Sequence, residues 1–364
     1  MLPKYHVLQG HAVTVIASLV SFGADGKPCL LENESTCVTK EGFKVIRVDY
    51  RRPFYQFNKF ARFYKNFLEL LTNEKPDLIF IHDFSFMDIG KILKYASKHK
   101  SVKIYVDCHT DYINSASTWI SKNVFHHMIW RYYAKRLTPY VEKFYGVTPL
   151  RCEFLRDAYK IDPKKVELLV MGVDDELLNG KDRESIRNKY CSGLGIDAAS
   201  FIITTGGKID EKKNIHLVMH AVAELGRHDV KLIVFGTVAP EMKALFESLL
   251  LKEAIVYVGW LGSNEILDYL IMSDLIVFPG THSVLWEQAV GAGTPCIFKY
   301  WQGITHVDLG GNCEFLYKDD SDEMKDVIIN ILLEKDKYKK MKAIAMARGP
   351  KKFCYSDIAR TAIE

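Results

Sequence analysis

The chain has 364 residues, 48% apolar and 26% charged, an ordinary globular balance in a length beyond which single cores usually stop growing, so two domains are expected. A net charge of +4 is too small to argue for nucleic acid, and no aromatic-basic motif of an RNA-binding module is present. Eight cysteines form no CxxC pair, which argues against a disulfide or thiolate-metal framework.

In chain order, apolar β-branched runs predict strands at AVTVIASL (12–19), FKVIRV (43–48), DLIFIHD (77–83), VKIYVDCH (102–109), KFYGVT (143–148) and VELLVMG (166–172). Helical periodicity falls between them, near 55–73, 86–99, 118–137 and 149–159. The second half repeats the scheme with FIITT (201–205), VKLIVFG (230–236), IVYVGW (255–260), LIVFPG (275–280) and PCIFKY (295–300). Such alternation implies an α/β fold with mainly parallel sheets and helices on both faces, here as two Rossmann-like lobes divided near residue 175. No secretory signal and no apolar run of about 18 residues is present, which places the chain in the cytoplasm.

The stretch 118–137 sets Ile120, Val124, Phe125, Met128, Ile129, Tyr132, Tyr133 and Leu137 on one helical side, with Ser121, Lys122, His126, His127, Arg131 and Lys135 mostly on the other. A basic, aromatic, amphipathic helix can lie in the headgroup region of anionic lipid, giving peripheral contact with the inner face of the cell membrane. It can also pack on its own sheet, as Rossmann-like lobes require.

Two segments of the second half carry the candidate chemistry. In GGKIDEKKN (206–214), Lys208 lies at the carboxyl end of a strand and Lys213 opens the next helix, a place where α/β proteins collect ligands. Two ammonium groups there can neutralise phosphate oxygens without a metal, although alone such lysines could simply be solvated. In HSVLWEQAVGAGTP (282–295), the backbone near His282, Ser283 and Val284 begins a helix, whose first N–H groups favour phosphate. Glu287 falls about one turn in, where a carboxylate can accept from ribose hydroxyls or merely complement the helix dipole. Gly291 and Gly293 suggest close backbone packing.

On these residues the chain resembles family 4 of the retaining glycosyltransferases, which have the two-lobed GT-B fold, and the resemblance covers nearly the whole chain. The family's glycine, basic residue, four residues, lysine pattern is met by Gly207, Lys208 and Lys213. Its glutamate-to-proline signature runs from Glu287 to Pro295, and its lobe-junction motif stands as Met171, Gly172, Val173 and Asp174. The resemblance implies a first lobe of residues 1–175 facing the acceptor and a donor-binding lobe of 176–349. The last helix, about 350–364, would cross back to the first lobe. It implies a nucleoside diphosphate sugar (UDP or GDP) as donor and a glycan or lipid-linked acceptor in bacterial surface polysaccharide synthesis. No metal and no further cofactor is required, and the DxD-like run Asp320 to Asp322 reads as a solvated loop.

Two departures from the family stand out. An earlier glutamate usual before Glu287 is replaced by no acidic residue, so His282 or Ser283 would take part of its role at the sugar. The phrase GHAVTVIAS starts already at Gly10, so the family's first strand and glycine-rich loop are expected to be absent. His109, ending the VDCHTD run (106–111), matches the family's histidine near the transferred sugar and joins His282 as a catalytic candidate. His82 is a weaker candidate, and Asp111 could orient His109. Two other readings remain: a sugar-nucleotide 2-epimerase of the same fold, and a non-catalytic partner subunit.

Overall fold

The computed structural model describes residues 1–23 and 28–364. By their contacts these fall into two units, Met1–Val170 with Ser356–Glu364, and Met171–Tyr355.

The first unit contains a four-stranded parallel sheet whose spatial order follows the chain: Leu78–His82, Lys103–Cys108, Val141–Gly146 and Val166–Leu168. Lys103–Cys108 is an inner strand, and every residue after Lys103 is buried. Its near-continuous apolar run is what a strand covered on both faces needs. A separate three-stranded sheet has the order Thr14–Ser18, Lys44–Val48, Ser35–Val38, the last pair antiparallel. One continuous sheet was the expectation from sequence; among the described residues no strand pairs Thr14–Ser18 with Leu78–His82, and a short antiparallel pair, Val20–Phe22 with Pro28–Leu30, stands as a sheet of its own, so three sheets result. The helix Pro149–Asp157 starts as its sequence dictates, with Thr148 accepting from the Arg151 N–H and proline at the first helical position.

Two helices of this unit differ from the periodicity reading. The pattern at 55–73 forms two helices, Tyr55–Ala61 and Phe67–Glu74, because Arg62 and Asn66 adopt left-handed backbone conformations (φ 55° and 51°) between them. The stretch 118–137 is a π-helix over Ser121–Trp130 that continues as an α-helix to Leu137. Bonds from i to i+5 widen the turn beyond 3.6 residues, so the faces inferred from α-helical spacing are redistributed. His126, placed on the polar side by sequence, is buried, whereas Ile120, Met128 and Tyr132 are exposed. His126 is satisfied there by the Tyr159 hydroxyl at Nδ1 (2.8 Å) and the Ser115 hydroxyl at Nε2 (3.0 Å).

The second unit is built on a six-stranded parallel sheet in the order Ile255–Tyr257, Val230–Val238, Phe201–Ile209, Leu275–Phe278, Cys296–Lys299, Cys313–Leu316. The edge strand Cys313–Leu316 was not anticipated from sequence. Alternate residues of Val230–Val238 feed opposite faces, as the pleat requires. Leu232 and Val234 join Val218, Met219 and Val222 of the helix Ile215–Glu224, while Ile233 and Phe235 pack with Tyr269 and Met272. From Phe201–Ile209 the chain first winds outward on one side, then returns to Leu275–Phe278 on the other. The winding therefore reverses between these two strands, the position where open α/β sheets form a ligand crevice beyond the strand ends.

At the start of this unit, Val173 donates its N–H to the Phe353 carbonyl (2.8 Å) and accepts from the Tyr355 N–H (3.2 Å). Gly291 faces this junction: a Cβ there would lie 2.7 Å from Val173 Cγ1, a physical reason for glycine in the helix Leu285–Gly291.

Candidate functional site

The loops following the two strands at the winding reversal press directly against each other. The Thr281 N–H donates to the Lys212 carbonyl (3.0 Å), and a Cβ on Gly280 would meet that same oxygen at 2.3 Å. Glycine is thus a steric requirement at 280. Gly206, Lys213, Phe278, Gly280, Ser283 and Trp286 line a small pocket at this contact.

The two lysines have different environments. Lys208 is exposed on the longer-than-expected strand Phe201–Ile209 and pairs with Asp210 at 3.1 Å. Lys213 is half-buried and donates from Nζ to the Thr281 carbonyl (2.6 Å) and more weakly to that of His282 (3.4 Å). Burial pulls its pKa down to about 8, with Asp210 opposing the shift. Lys213 therefore clasps one loop to the other and remains close to its protonation midpoint. Gly207 holds a positive φ of 115° within the strand Phe201–Ile209, immediately before Lys208.

After Gly280 the chain forms the helix Leu285–Gly291, with Val284 at its cap and the Ser283 carbonyl accepting from the Trp286 N–H (3.0 Å). Glu287 is the third residue of this helix, in the first turn, where the dipole favours negative charge. Its side chain is fully buried. Oε1 accepts from Nε2 of both His282 and His306, each at 2.8 Å, whereas Oε2 has no hydrogen-bond partner among the described residues. Burial pushes the Glu287 pKa upward, but the charges and hydrogen bonds of the two imidazoles outweigh it and hold the carboxyl at about 2. Trp286 completes the setting: its ring meets His282 edge-on (5.3 Å between centroids) and stacks on Phe298 (4.6 Å).

The sequence candidates Gly207, Lys213, His282, Ser283, Val284 and Glu287 thus converge on one loop cluster, with Lys208 at its margin. His282 is turned toward Glu287. His306 was missed: it stands in an irregular segment 19 positions after Glu287, and nothing in the intervening residues marks it.

The first unit holds a second histidine-carboxylate-histidine group. Buried Asp107 accepts at Oδ2 from His82 Nδ1 (2.8 Å) and His109 Nε2 (3.2 Å). Burial raises the Asp107 pKa, but His109 and His82 outweigh it and hold the carboxyl at about 2. The hydrogen bond to Asp107 also raises the pKa of His82. Asp111, suggested by sequence to orient His109, instead pairs with Arg151 (3.1 Å) and accepts from the Ile113 and Asn114 N–H groups of its own loop. Asp107 sits on the strand and reaches the ring of His109 on the same sheet face, a period-2 relation.

In both groups the three ligand atoms lie within 4.8 Å of one another, a donor set that a divalent cation could use. The same atoms are already matched as two donors on one carboxylate oxygen, so neither group needs a metal to balance its charge.

Comparison with known proteins gives a consistent result for both halves. Residues 4–177 match the family described as Glycosyltransferase Family 4, and residues 182–348 match Glycosyl transferases group 1. A relative from Campylobacter jejuni, N-acetylgalactosamine-N,N'-diacetylbacillosaminyl-diphospho-undecaprenol 4-alpha-N-acetylgalactosaminyltransferase, is 26% identical over 256 residues, 68% of this chain and 66% of the relative. Among solved structures, a glycosyltransferase from Rickettsia africae superposes with a TM-score of 0.71 at 17% identity, covering 99% of this chain and 90% of its own. The Anabaena protein HepE in complex with UDP gives 0.65 at 15%, covering 88% and 84%. At these identities the superpositions speak for the fold alone.

Proposed function

Since the chain belongs to family 4 of the glycosyltransferases, with their GT-B fold, we propose that it moves a glycosyl group from a nucleoside diphosphate sugar to a hydroxyl of a glycan or lipid-linked acceptor, with retention at the anomeric carbon. The donor is a UDP- or GDP-sugar, and the setting is synthesis of a bacterial surface polysaccharide. UDP in the similarly folded HepE and the diphospho-undecaprenol in the name of the Campylobacter relative support this reading.

The observation that carries the proposal is the half-satisfied Glu287. Two imidazoles occupy Oε1 and fix the carboxylate in its charged form, while buried Oε2 has no partner among the described residues. A buried charged oxygen without a donor is costly, and a ribose hydroxyl would supply that donor. His282 and His306 then act as positioning residues for Glu287. Lys208 and Lys213 belong near the diphosphate, where charge grows as the glycosidic bond breaks toward an oxocarbenium-like state. Lys213 would exchange its carbonyl contacts for phosphate oxygens. His109 is assigned to the transferred sugar, and no metal ion takes part.

Thermal unfolding with UDP, GDP, ADP, CMP and NAD tests the donor site. One nucleoside diphosphate should raise the midpoint by several degrees when near 100 times its Kd, and Glu287→Ala should lose that shift. Release of free nucleoside diphosphate should require an acceptor. Conversion of the donor without acceptor would replace the transferase by an epimerase, and absence of any nucleotide shift would point to a non-catalytic relative.

A further inference from the structure

We propose that His82, Asp107 and His109 form a reversible binding site for a zinc-type divalent cation at the carboxyl end of two neighbouring strands of the first unit. The backbone brings the three side chains together. In the parallel pairing of Leu78–His82 with Lys103–Cys108, His82 stands directly beside Asp107, so the two side chains share a face of the pleat. His109 follows Asp107 by two positions and returns to that same face. The two imidazole rings lie 4.4 Å apart between centroids and are inclined by 57°, with Nδ1 of one and Nε2 of the other turned to a single carboxylate oxygen.

The spacing of the donors suits a small cation. His82 Nδ1 stands 2.8 Å from Asp107 Oδ2, His109 Nε2 stands 3.2 Å from it, and all three atoms fall within 4.8 Å of one another. Tetrahedral zinc, with bonds of about 2.0–2.1 Å to imidazole nitrogen, sets its ligands about 3.4 Å apart, so the carboxylate needs to retreat by only about half an ångström to admit the ion. Two imidazoles and a carboxylate favour zinc and its neighbours over calcium or magnesium, which prefer oxygen alone. Three protein ligands leave a fourth position for water, the pattern of an open zinc site.

The surroundings already hold the ligands in place. Asp107 is buried, and its other oxygen, Oδ1, accepts from the Asp83 N–H (3.0 Å). The His109 carbonyl accepts from Asn114 Nδ2 (2.7 Å). Such outer contacts orient ligands before an ion arrives. The side chain of His82 is 71% exposed, which gives an ion a path from solvent and lets the ring carry its proton on Nε2 once Nδ1 is coordinated. The group around Glu287 has no such opening, since the side chains of His282 and His306 are 3% and 4% exposed. Because the hydrogen-bonded trio is balanced without an ion, the ion is exchangeable and no part of the transfer reaction. It would instead occupy the His109 ring assigned to the transferred sugar and so compete with transfer. That consequence rests on the transferase reading, whereas the site does not.

Cobalt(II) and zinc titrated into the untagged full chain test the site. Cobalt should add the visible absorption of a four-coordinate ion without a thiolate charge-transfer band, and one equivalent of zinc should remove it. His82→Gln should weaken that binding by at least about tenfold, the scale on which even outer contacts act. Asp107→Asn should do the same; should that buried substitution misfold, the exposed His82 variant decides alone. Nucleotide-dependent thermal shifts should persist with the site filled, because the ion lies outside the Glu287 cluster. Transfer should fall in saturating zinc and recover on chelation, and transfer unaffected by a filled site would remove the competition. Cobalt binding is read without nucleotide or acceptor, so its failure is separate from any failure of the donor reading. Parent-like cobalt binding by His82→Gln, or no cobalt absorption at all, would overturn the proposal. So would a thiolate band, which would assign the ion to exposed Cys29 or Cys37.

Discussion

At the residue scale the chain is governed by how Glu287 is held. Its pKa of about 2 lies below the ordinary value near 4.3, so the unfolded state binds a proton before the folded state does. The resulting stabilisation is present above about pH 4.5 and is lost as pH falls toward 2, on the order of 3 kcal/mol at most. Chemical unfolding measured between pH 6 and 2.5 should therefore show a shallower acid loss for Glu287→Gln than for the parent. His282→Ala and His306→Ala each leave Oε1 with one donor, and both should weaken nucleotide binding by about tenfold, the scale of one charge-assisted hydrogen bond. Calorimetric titration checks this, and parent-like affinity in both variants would remove the positioning role. Lys213, with its pKa near 8, gives a different profile. Diphosphate affinity should fall as pH rises from 7 to 9, and Lys213→Arg should flatten that fall because guanidinium stays charged. Chelation of divalent ions should leave nucleotide binding unchanged. Glu287, Lys213 and His282 were legible in the sequence because they stand in short motifs at a strand end and a helix start. His306 was not, since its role arises from a contact that no spacing encodes; Asp107 was passed over although it stands two residues before His109, a spacing that puts both on one sheet face.

At the scale of elements, the strands were read well because apolar β-branched runs report burial directly. Cys313–Leu316 escaped notice, as did Val20–Phe22, Pro28–Leu30 and Ser35–Val38, because strands of three or four residues carry only a brief apolar pattern. The helices at 55–73 and 118–137 were read less well because periodicity assumes one uninterrupted α-helix. Two residues in left-handed conformations divide the first, and the wider π-turn rotates the faces of the second. His126→Ala should consequently destabilise the protein by about 1–3 kcal/mol, the cost of leaving a buried hydroxyl such as that of Tyr159 without its partner. A surface histidine, as periodicity implied, would cost almost nothing, and urea unfolding distinguishes the two. Gly280→Ala places a methyl against the Lys212 carbonyl and should cost about 1–3 kcal/mol by overpacking. Its nucleotide affinity should also fall, because the two loops of the pocket are forced apart.

On the scale of the whole molecule, each unit has its own core, and the end of the chain belongs to the first. Tyr145 donates its hydroxyl to the Thr361 carbonyl (3.0 Å), His6 Nε2 bonds the Ala359 carbonyl (2.9 Å), and Ile358, Ala359 and Ala362 are buried. Deleting residues 356–364 should lower the midpoint of thermal unfolding by several degrees, since burying one isoleucine-sized side chain contributes about 1.5–3 kcal/mol. Among the described residues no helix is long and apolar enough to cross a membrane. The sequence by itself determined the alternating α/β architecture, the family and the loop cluster around Glu287, because strand burial and helix starts are written in local patterns. Only the tertiary structure decided that two imidazoles share one oxygen of that carboxylate, that the described strands of the first unit fall into three sheets, and that aromatic side chains such as Phe60 and Trp119 point outward. Those outcomes depend on which distant segments meet, and local periodicity carries no information about such meetings.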